Sequence, residues 1–230
     1  LQGGRISLMV GIISTLVSLL VGVSWGAVAG YIGGRVDNLM MRIVDIIYAI
    51  PYILIVIVLV SVFGGPNTPD FINAMSSFFG GAGNQGLSQI FLLFFALGLV
   101  SWLTMARVVR GQILSLKNQE FVLAAKATGV STPAIIFRHL VPNTLGPVIV
   151  YATLTVPSVM LTEAFLSFLG LGVQAPYASW GSLAADGIKN IQIFPWQLIF
   201  PGVTMALTLF SLNFLGDGLR DALDPQTRKF

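Results

Sequence analysis

The chain has 230 residues, of which 55% are hydrophobic and only 9% are charged, and its formal net charge is +3. Because a soluble domain carries roughly 25% charged residues, this composition excludes an aqueous globular protein and predicts a protein that lies in a bilayer. The sequence contains no Cys and a single His, which excludes disulfides, thiolate metal sites and a His-based metal cluster.

Five stretches with little or no charge predict membrane-spanning helices, because a span needs about 20 largely apolar residues. In chain order they are residues 6–30, 44–63, 88–108, 145–169 and 197–216. Residues 31–43 are expected to form a loop, residues 64–86 a loop with one short surface helix, and residues 170–196 a second long loop. The predicted fold is an all-α polytopic membrane protein, in which residues 1–230 form a single transmembrane domain.

The basic residues are distributed unevenly between the two sides of this predicted membrane domain. Residues 31–43, 109–144 and 217–230 lie on one side, which holds ten Lys and Arg residues if the boundary residue Arg107 is included. The other side has only two, so the first side is predicted to be cytoplasmic. Because the basic residues are spread over three segments and the net charge is small, we expect contact with lipid headgroups and none with nucleic acid.

Residues 117–142, called the elbow below, have the pattern of two helices that are too short to span a bilayer. Asn118 is a candidate cap for the first helix, and Glu120 lies in its first turn, where an anion is favourable. This helix is expected to run to Thr128 and to stop at Gly129, which suits the left-handed C-terminal position.

The second elbow helix is expected to be capped by Ser131 or Thr132, with Pro133 near its first position. Val141 precedes Pro142, which disfavours continuing the helix at that point. The pattern therefore predicts a helix–turn–helix segment between two spans.

One face of the first elbow helix combines an aromatic residue with small ones. By their spacing of three and four, this face is formed by Phe121, Ala124, Ala125 and Thr128. Two interpretations remain open from the residues alone. The elbow could lie on the headgroups, with Lys126 and Arg138 reaching lipid phosphate, or the small residues could allow another protein to dock closely.

The elbow resembles the conserved cytoplasmic loop of permease subunits of binding-protein-dependent ABC importers. That loop has the pattern Glu-Ala-Ala, three residues, Gly, nine residues, Ile-x-Leu-Pro, and Ala124, Ala125, Gly129 and Pro142 fall in register with it. Leu123, His139 and Val141 depart from it in a way that is similar to the oligopeptide, dipeptide and nickel branch. Other blocks resemble the same branch: GGRISLMVG (3–11), GGRVDNLMMRIVDIIYAIP (33–51), TEAFLSFLGLGVQAPYASWG (162–181) and LGDGLRDALDP (215–225).

The resemblance implies the transmembrane domain of a type I ABC importer, with five visible spans, a missing first helix and a cytoplasmic coupling helix pair. It implies location in a prokaryotic inner membrane and four kinds of partner: a second, different permease subunit, two cytoplasmic ATPase subunits, an extracytoplasmic binding protein and lipid. ATP and Mg would bind the ATPase subunits, and this chain would bind no cofactor and would not be an enzyme. The sequence agrees, because it has no Gly-x-x-x-x-Gly-Lys-Ser/Thr loop.

The resemblance also assigns the elbow to contact with the ATPase. The implied coupling residues are Glu120, Phe121, Ala124, Ala125, Lys126, Thr128, Gly129, Arg138 and Pro142. The implied substrates are di- or oligopeptides, with nickel or another small solute as the alternative within the family.

Several residues within the predicted spans are candidates for gating or for the substrate path. Glu163 is ionisable and lies in an apolar run, which makes it a functional candidate, and Pro157 and Pro201 would kink their helices. Asp45 is expected to be neutralised by Arg42, one turn away. A proton-coupled secondary transporter, with Asp45 and Glu163 as its relay, is the alternative from another class.

A series of small residues in the first span predicts close helix packing. Gly22, Gly26 and Gly30 recur at four-residue spacing and so lie on one face. Whether the neighbouring helix belongs to this chain or to a second permease subunit remains open at this point.

Overall fold

The computed structural model describes residues 2–64, 67–78 and 85–223, and these residues are almost entirely helical. The first six helices are α1 (Gln2–Ile32), α2 (Gly34–Ala49), α3 (Tyr52–Phe63), α4 (Asp70–Ser76), α5 (Gln85–Leu116) and α6 (Glu120–Ala127). A short α7 (Thr132–Ala134) continues into a π-helix (Ile135–Leu140) and then α8 (Val141–Asn143). The last three are α9 (Leu145–Phe168), α10 (Trp180–Lys189) and α11 (Trp196–Leu223).

Four of the five predicted spans are confirmed, since α1, α5, α9 and α11 are each long and apolar enough to cross a membrane. The pair α2 and α3 makes a fifth span if it is counted as one broken helix. The all-α fold is therefore confirmed for the described residues. Helices satisfy their own backbone hydrogen bonds, and this is what an apolar chain needs in lipid.

The second predicted span is wrong in detail. Residues 44–63 do not form one helix, because α2 and α3 meet at an angle of 82°. The break falls at Ile50, whose backbone is extended, and Pro51, which has no N–H to continue the helical hydrogen bonds. Residues 31–43 were expected to be a loop, but most of them belong to α2, which begins at Gly34, directly after Gly33.

Other predicted boundaries also change. The short helix expected in residues 64–86 is confirmed as α4. Residues 170–196 contain a helix that the sequence analysis missed, α10, whose N-terminus carries a capping box formed by Ser179 and Ser182. The third and fifth spans are longer than predicted, ending at Leu116 and Leu223.

The glycines of the first span pack against α5 of the same chain, so their close neighbour is not a second subunit. A methyl group on Gly26 would overlap the carbonyl oxygen of Ala106, and one on Gly22 would lie 2.6 Å from Cβ of Met105. Gly98 of α5 approaches α1 equally closely, because its methyl group would lie 2.7 Å from Cβ of Val17. The two backbones therefore meet directly, as small residues permit in membrane helix pairs.

An ion pair from the C-terminal half of α5 and a side-chain hydrogen bond from the residue after α5 hold the turn between α1 and α2. Gly33 and Gly34 both have positive φ, 69° and 60°. Next to them, Arg110 donates two hydrogen bonds to the buried Asp37, from Nε to Oδ1 at 2.6 Å and from the terminal nitrogen to Oδ2 at 2.7 Å. Lys117 Nζ donates to the carbonyl oxygen of Gly30 at 3.1 Å. A bidentate Arg–carboxylate pair fixes orientation as well as distance, so the start of α2 is tied to α5.

Candidate functional site

The elbow packs onto the ends of α1, α5 and α9. Val122 and Ala125 of α6 and Ile135, Ile136 and Leu140 of the π-helix are buried in one cluster with Ala27, Met105, Val109, Ile113 and Val148. These apolar contacts stabilise a segment that would not be helical alone, because helices this short are unstable in water. The elbow is therefore rigidly continuous with the helical bundle.

The sequence interpretation of the elbow is partly confirmed. Gly129 has φ of 78°, the left-handed conformation expected after α6, and Ser131 is the N-cap residue of α7. The cap of α6 is Gln119 rather than Asn118, and it makes no side-chain capping hydrogen bond. The helix was expected to end before Pro142, but the chain remains helical there because a π-helix and α8 follow α7.

Not all residues of the predicted docking face of α6 are exposed. Phe121, Ala124 and Thr128 are exposed, whereas Ala125 is buried in the chain's own core. Leu123 and Ala127, which the sequence analysis did not select, are exposed beside Ala124. The contact of α6 with the π-helix determines which side of α6 faces the core. The three-and-four spacing alone cannot predict this orientation.

The other predicted elbow residues lie around this exposed face. Glu120, Lys126, Arg138 and Pro142 are exposed, and Phe137 of the π-helix is 50% exposed beside Arg138 in the sequence. Lys126 Nζ lies 5.1 Å above the ring of Tyr31 at the end of α1, a cation–π contact. The elbow thus presents a mixed apolar and charged surface while its inner side contacts the bundle.

A cavity of about 480 Å³ lies where the break between α2 and α3 faces α5 and α9. Ile50 and Pro51, at the break itself, line it. Irregular backbone within a membrane is tolerated where it lines a cavity, and the volume lies within the usual range of small-molecule sites, roughly 300–1,000 Å³.

The wall of this cavity is neutral and rich in hydroxyl groups. Among the described residues that line it none is charged, and eight carry a hydroxyl: Tyr48, Tyr52, Ser101, Thr104, Tyr151, Thr155, Ser158 and Thr162. Such a wall can donate and accept hydrogen bonds without selecting for charge.

An ion pair lies beside one end of this wall, and it corrects the sequence interpretation of Asp45. Asp45 pairs with Arg107 of α5 at 2.7 Å and not with Arg42. The guanidinium of Arg107 also lies 4.3 Å from the ring centroid of Tyr48, so the pair borders the cavity wall. Both partners are substantially exposed, with 39% of the Arg107 side chain and 64% of the Asp45 side chain accessible.

The remaining candidates do not line the cavity. Pro157 is buried inside α9, and Pro201 lies half-buried inside α11; neither lines the cavity. Glu163 is fully buried, also outside the cavity, in a cluster that we call the clasp: Ser7, Glu163, Ser167 and Ser179. Ser167 lies one helical turn from Glu163, so its proximity follows from the sequence. Ser7 and Ser179 were missed because they come from α1 and from the N-terminus of α10, and no local spacing relates them to Glu163.

The sequence matches a known family and several known proteins. The family described as binding-protein-dependent transport system inner membrane component matches residues 22–229. The chain is 50% identical over 226 residues to the oligopeptide transport system permease protein OppC of Escherichia coli, covering 98% of this chain and 67% of that protein. For OppC of Haemophilus influenzae the identity is 49%, with 98% and 65% covered.

A dipeptide permease and a solved transporter are also similar. The dipeptide transport system permease protein DppC of Bacillus subtilis is 47% identical, with 99% of this chain and 64% of that protein covered. The chain thus spans about two thirds of the length of these relatives. An inward-facing structure of the MetNI methionine ABC transporter aligns with a TM-score of 0.67 at 18% identity, covering 96% of this chain and 94% of that one. This likeness confirms the fold expected from the resemblance.

Proposed function

The chain belongs to the family of binding-protein-dependent transport system inner membrane components, and we propose that it is the permease subunit of an ATP-driven importer of peptides. The observation that carries the proposal is identity of 47–50% to proteins named as oligopeptide and dipeptide permeases. Di- or oligopeptides are accordingly favoured over nickel or another small solute, and a proton-coupled transporter is not favoured.

The elbow is the proposed contact with a separate ATPase. Its inner side is fastened to α1, α5 and α9, and its outer side exposes Phe121, Leu123 and Ala124. An exposed helix with small and apolar residues suits docking into a groove. The ATPase subunits would hold ATP and Mg, and their movement would reach α9 through the elbow, whose inner side packs against the end of α9.

The proposed assembly has a second, different permease subunit, two such ATPases and an extracytoplasmic binding protein, all in or at an inner membrane. The excess of basic residues on the elbow side supports a cytoplasmic elbow. The exposed apolar surface of α11, including Phe200, Phe210 and Phe214, supports contact with lipid or with another membrane subunit. Residues 1–230 would act in this assembly as one transmembrane domain.

The neutral cavity is the proposed wall of the peptide path. Peptides of varied sequence share amide groups, which hydroxyl groups can bind as donor or acceptor. The absence of charge among the described lining residues suits a path that passes peptides whatever their side chains. Selection would then occur before the peptide reaches the membrane domain.

Ser158 is exposed in the cavity wall. A charged residue introduced there is expected to make the rate of uptake depend on the charge of the peptide. Ser158→Lys should slow uptake of a Lys-rich tripeptide about tenfold relative to a Glu-rich one, because one charge pair at about 4 Å supplies roughly 1–4 kcal/mol. Ser158→Glu should reverse the preference, so each variant controls for the other. Equal slowing of both peptides by both variants would place Ser158 outside the path.

Purification with its neighbouring membrane and ATPase chains tests the proposed function as a whole. We expect an ATPase to copurify, and we expect peptide uptake into proteoliposomes to require ATP and the binding protein. Uptake should persist when an uncoupler removes the proton gradient. Uptake without ATP that stops on adding the uncoupler would establish the proton-coupled alternative instead.

A further inference from the structure

Glu163 lies in α9 near the end of the bundle opposite the elbow, and its carboxyl group is enclosed by hydroxyl groups. Ser167 Oγ donates to Oε1 at 2.5 Å, and Ser7 Oγ of α1 donates to Oε2 at 3.3 Å. None of the Glu163 side chain is accessible. A buried carboxyl group is tolerated only when its hydrogen-bonding capacity is used.

Two chains of hydrogen bonds lead from α10 to this carboxyl group. In one, the Ser182 amide donates to Ser179 Oγ at 3.1 Å, which donates to Ser167 Oγ at 3.2 Å. In the other, the Trp180 amide donates to Ser7 Oγ at 3.0 Å. Both Ser179 and Trp180 belong to the N-terminus of α10. The N-terminus of α10 is therefore joined to α9 and to α1 through the same carboxyl group.

Close contacts between helices surround the clasp. A methyl group on Gly181 of α10 would lie 2.5 Å from Cα of Ala164 in α9, and one on Gly3 of α1 would lie 2.8 Å from Cδ1 of Leu183 in α10. These helices are in direct contact on both sides of the hydrogen-bonded cluster. Sliding one helix past another would break the hydrogen bonds and this packing together.

We propose that Glu163 is a positioning residue that fastens α1, α9 and α10 into one rigid body through the transport cycle. The proposal rests on the proposed function, in which the ATPase moves the elbow and the elbow moves the N-terminus of α9. Separation of α10 from α9 would leave a buried carboxyl group without its hydrogen bonds, which is costly in an apolar surrounding. Movement at the elbow would thus be carried along α9 to α10, at the other end of the bundle.

A double-cysteine variant, Ser167→Cys with Ser179→Cys, tests whether α9 and α10 stay together. The chain has no Cys of its own, and the two Oγ atoms are 3.2 Å apart, so a disulfide would replace a hydrogen bond of the clasp. In the assembled transporter, the oxidised variant should take up peptide within about twofold of the unaltered protein, whereas reduction should lower uptake about fivefold or more. Loss of uptake on oxidation that reduction restores would overturn the proposal, as would normal uptake in both forms.

A second pair, Gly3→Cys with Leu183→Cys, leaves Glu163 and its serines intact. It tests whether α1 and α10 stay together, also in the case that the first variant fails to assemble. Its disulfide between α1 and α10 should form equally well without nucleotide and with ATP trapped, and uptake should survive it. A disulfide that forms in only one of these states, or that stops uptake, would show that the helices separate and would overturn the proposal.

Glu163→Leu removes the two acceptor oxygens and replaces the carboxyl group by an apolar group of similar size. We expect uptake to fall at least about tenfold while ATP hydrolysis without binding protein stays within about twofold. Uptake at the unaltered rate, or equal loss of both activities in a normally assembled complex, would contradict a positioning role. ATP-dependent uptake by the unaltered transporter tests the proposed function separately.

Discussion

Replacing Ala124 by Trp is expected to lower peptide uptake about ten- to hundredfold while the protein still inserts and assembles its membrane domain. Ala124 lies on the exposed face of α6, between the exposed Leu123 and the buried Ala125. Overpacking a close-fitting surface costs about 1–3 kcal/mol, and each 1.4 kcal/mol is a factor of ten. Uptake and ATP hydrolysis should be measured together in proteoliposomes with equal amounts of transporter.

The same substitution at Ala74 is the matched control, because Ala74 is also exposed on a short helix but lies in α4, outside the elbow. Ala74→Trp should leave uptake within about twofold. The elbow variant should also lose crosslinking between α6 and the ATPase. If Ala124→Trp transports normally and still crosslinks, α6 does not dock into a close-fitting groove and the coupling proposal fails.

Replacing Gly26 by Ala is expected to destabilise the membrane domain by about 3 kcal/mol or more, because overpacking typically costs 1–3 kcal/mol and here the opposing atom belongs to the backbone. The added methyl group would overlap the carbonyl oxygen of Ala106 and would lie 3.0 Å from the amide nitrogen of Arg110. A side chain could rotate away, but a helix backbone cannot, so α1 and α5 would have to separate. The thermal unfolding midpoint of the purified transporter should fall by several degrees.

Gly111 provides the control for this second prediction. It also lies within a helix, α5, but a methyl group there would meet nothing within 4 Å. Gly111→Ala should be neutral or should stabilise the protein by about 0.5–1 kcal/mol, because Ala is a better helix former than Gly. An unchanged unfolding midpoint for Gly26→Ala would mean that α1 and α5 pack less closely than the structure shows.

The features that the sequence predicted correctly depend on residues that are close together in the chain. Hydrophobic length predicts a span, because the thickness of the bilayer sets it. The left-handed Gly129 could also be predicted, because a C-terminal glycine acts within one turn of its helix. The short helix α4 was expected from the composition of its loop, whereas the helix α10 was missed because its capping box lies within a Gly- and Pro-containing stretch.

The partners of polar side chains could not be read from local spacing. Arg42 is one turn from Asp45 in the sequence, yet the ion pair forms with Arg107 because the packing of α2 on α5 brings that side chain closer. The same limit applies to Asp37, whose partner Arg110 is 73 residues away. Ion pairs and hydrogen bonds between spans depend on which helices touch, and the three-and-four rule describes only a single helix.

By itself, the sequence determined that this protein is a helical membrane domain with a basic elbow, because apolar length, charge bias and end caps act within a segment. Only the tertiary structure decided that Ala125 turns inward, that the break between α2 and α3 forms a hydroxyl-lined cavity with α5 and α9, and that Glu163 joins three helices. These features arise from contacts between residues far apart in the chain. Their energies depend on burial and on partner geometry, which exist only once the helices have packed.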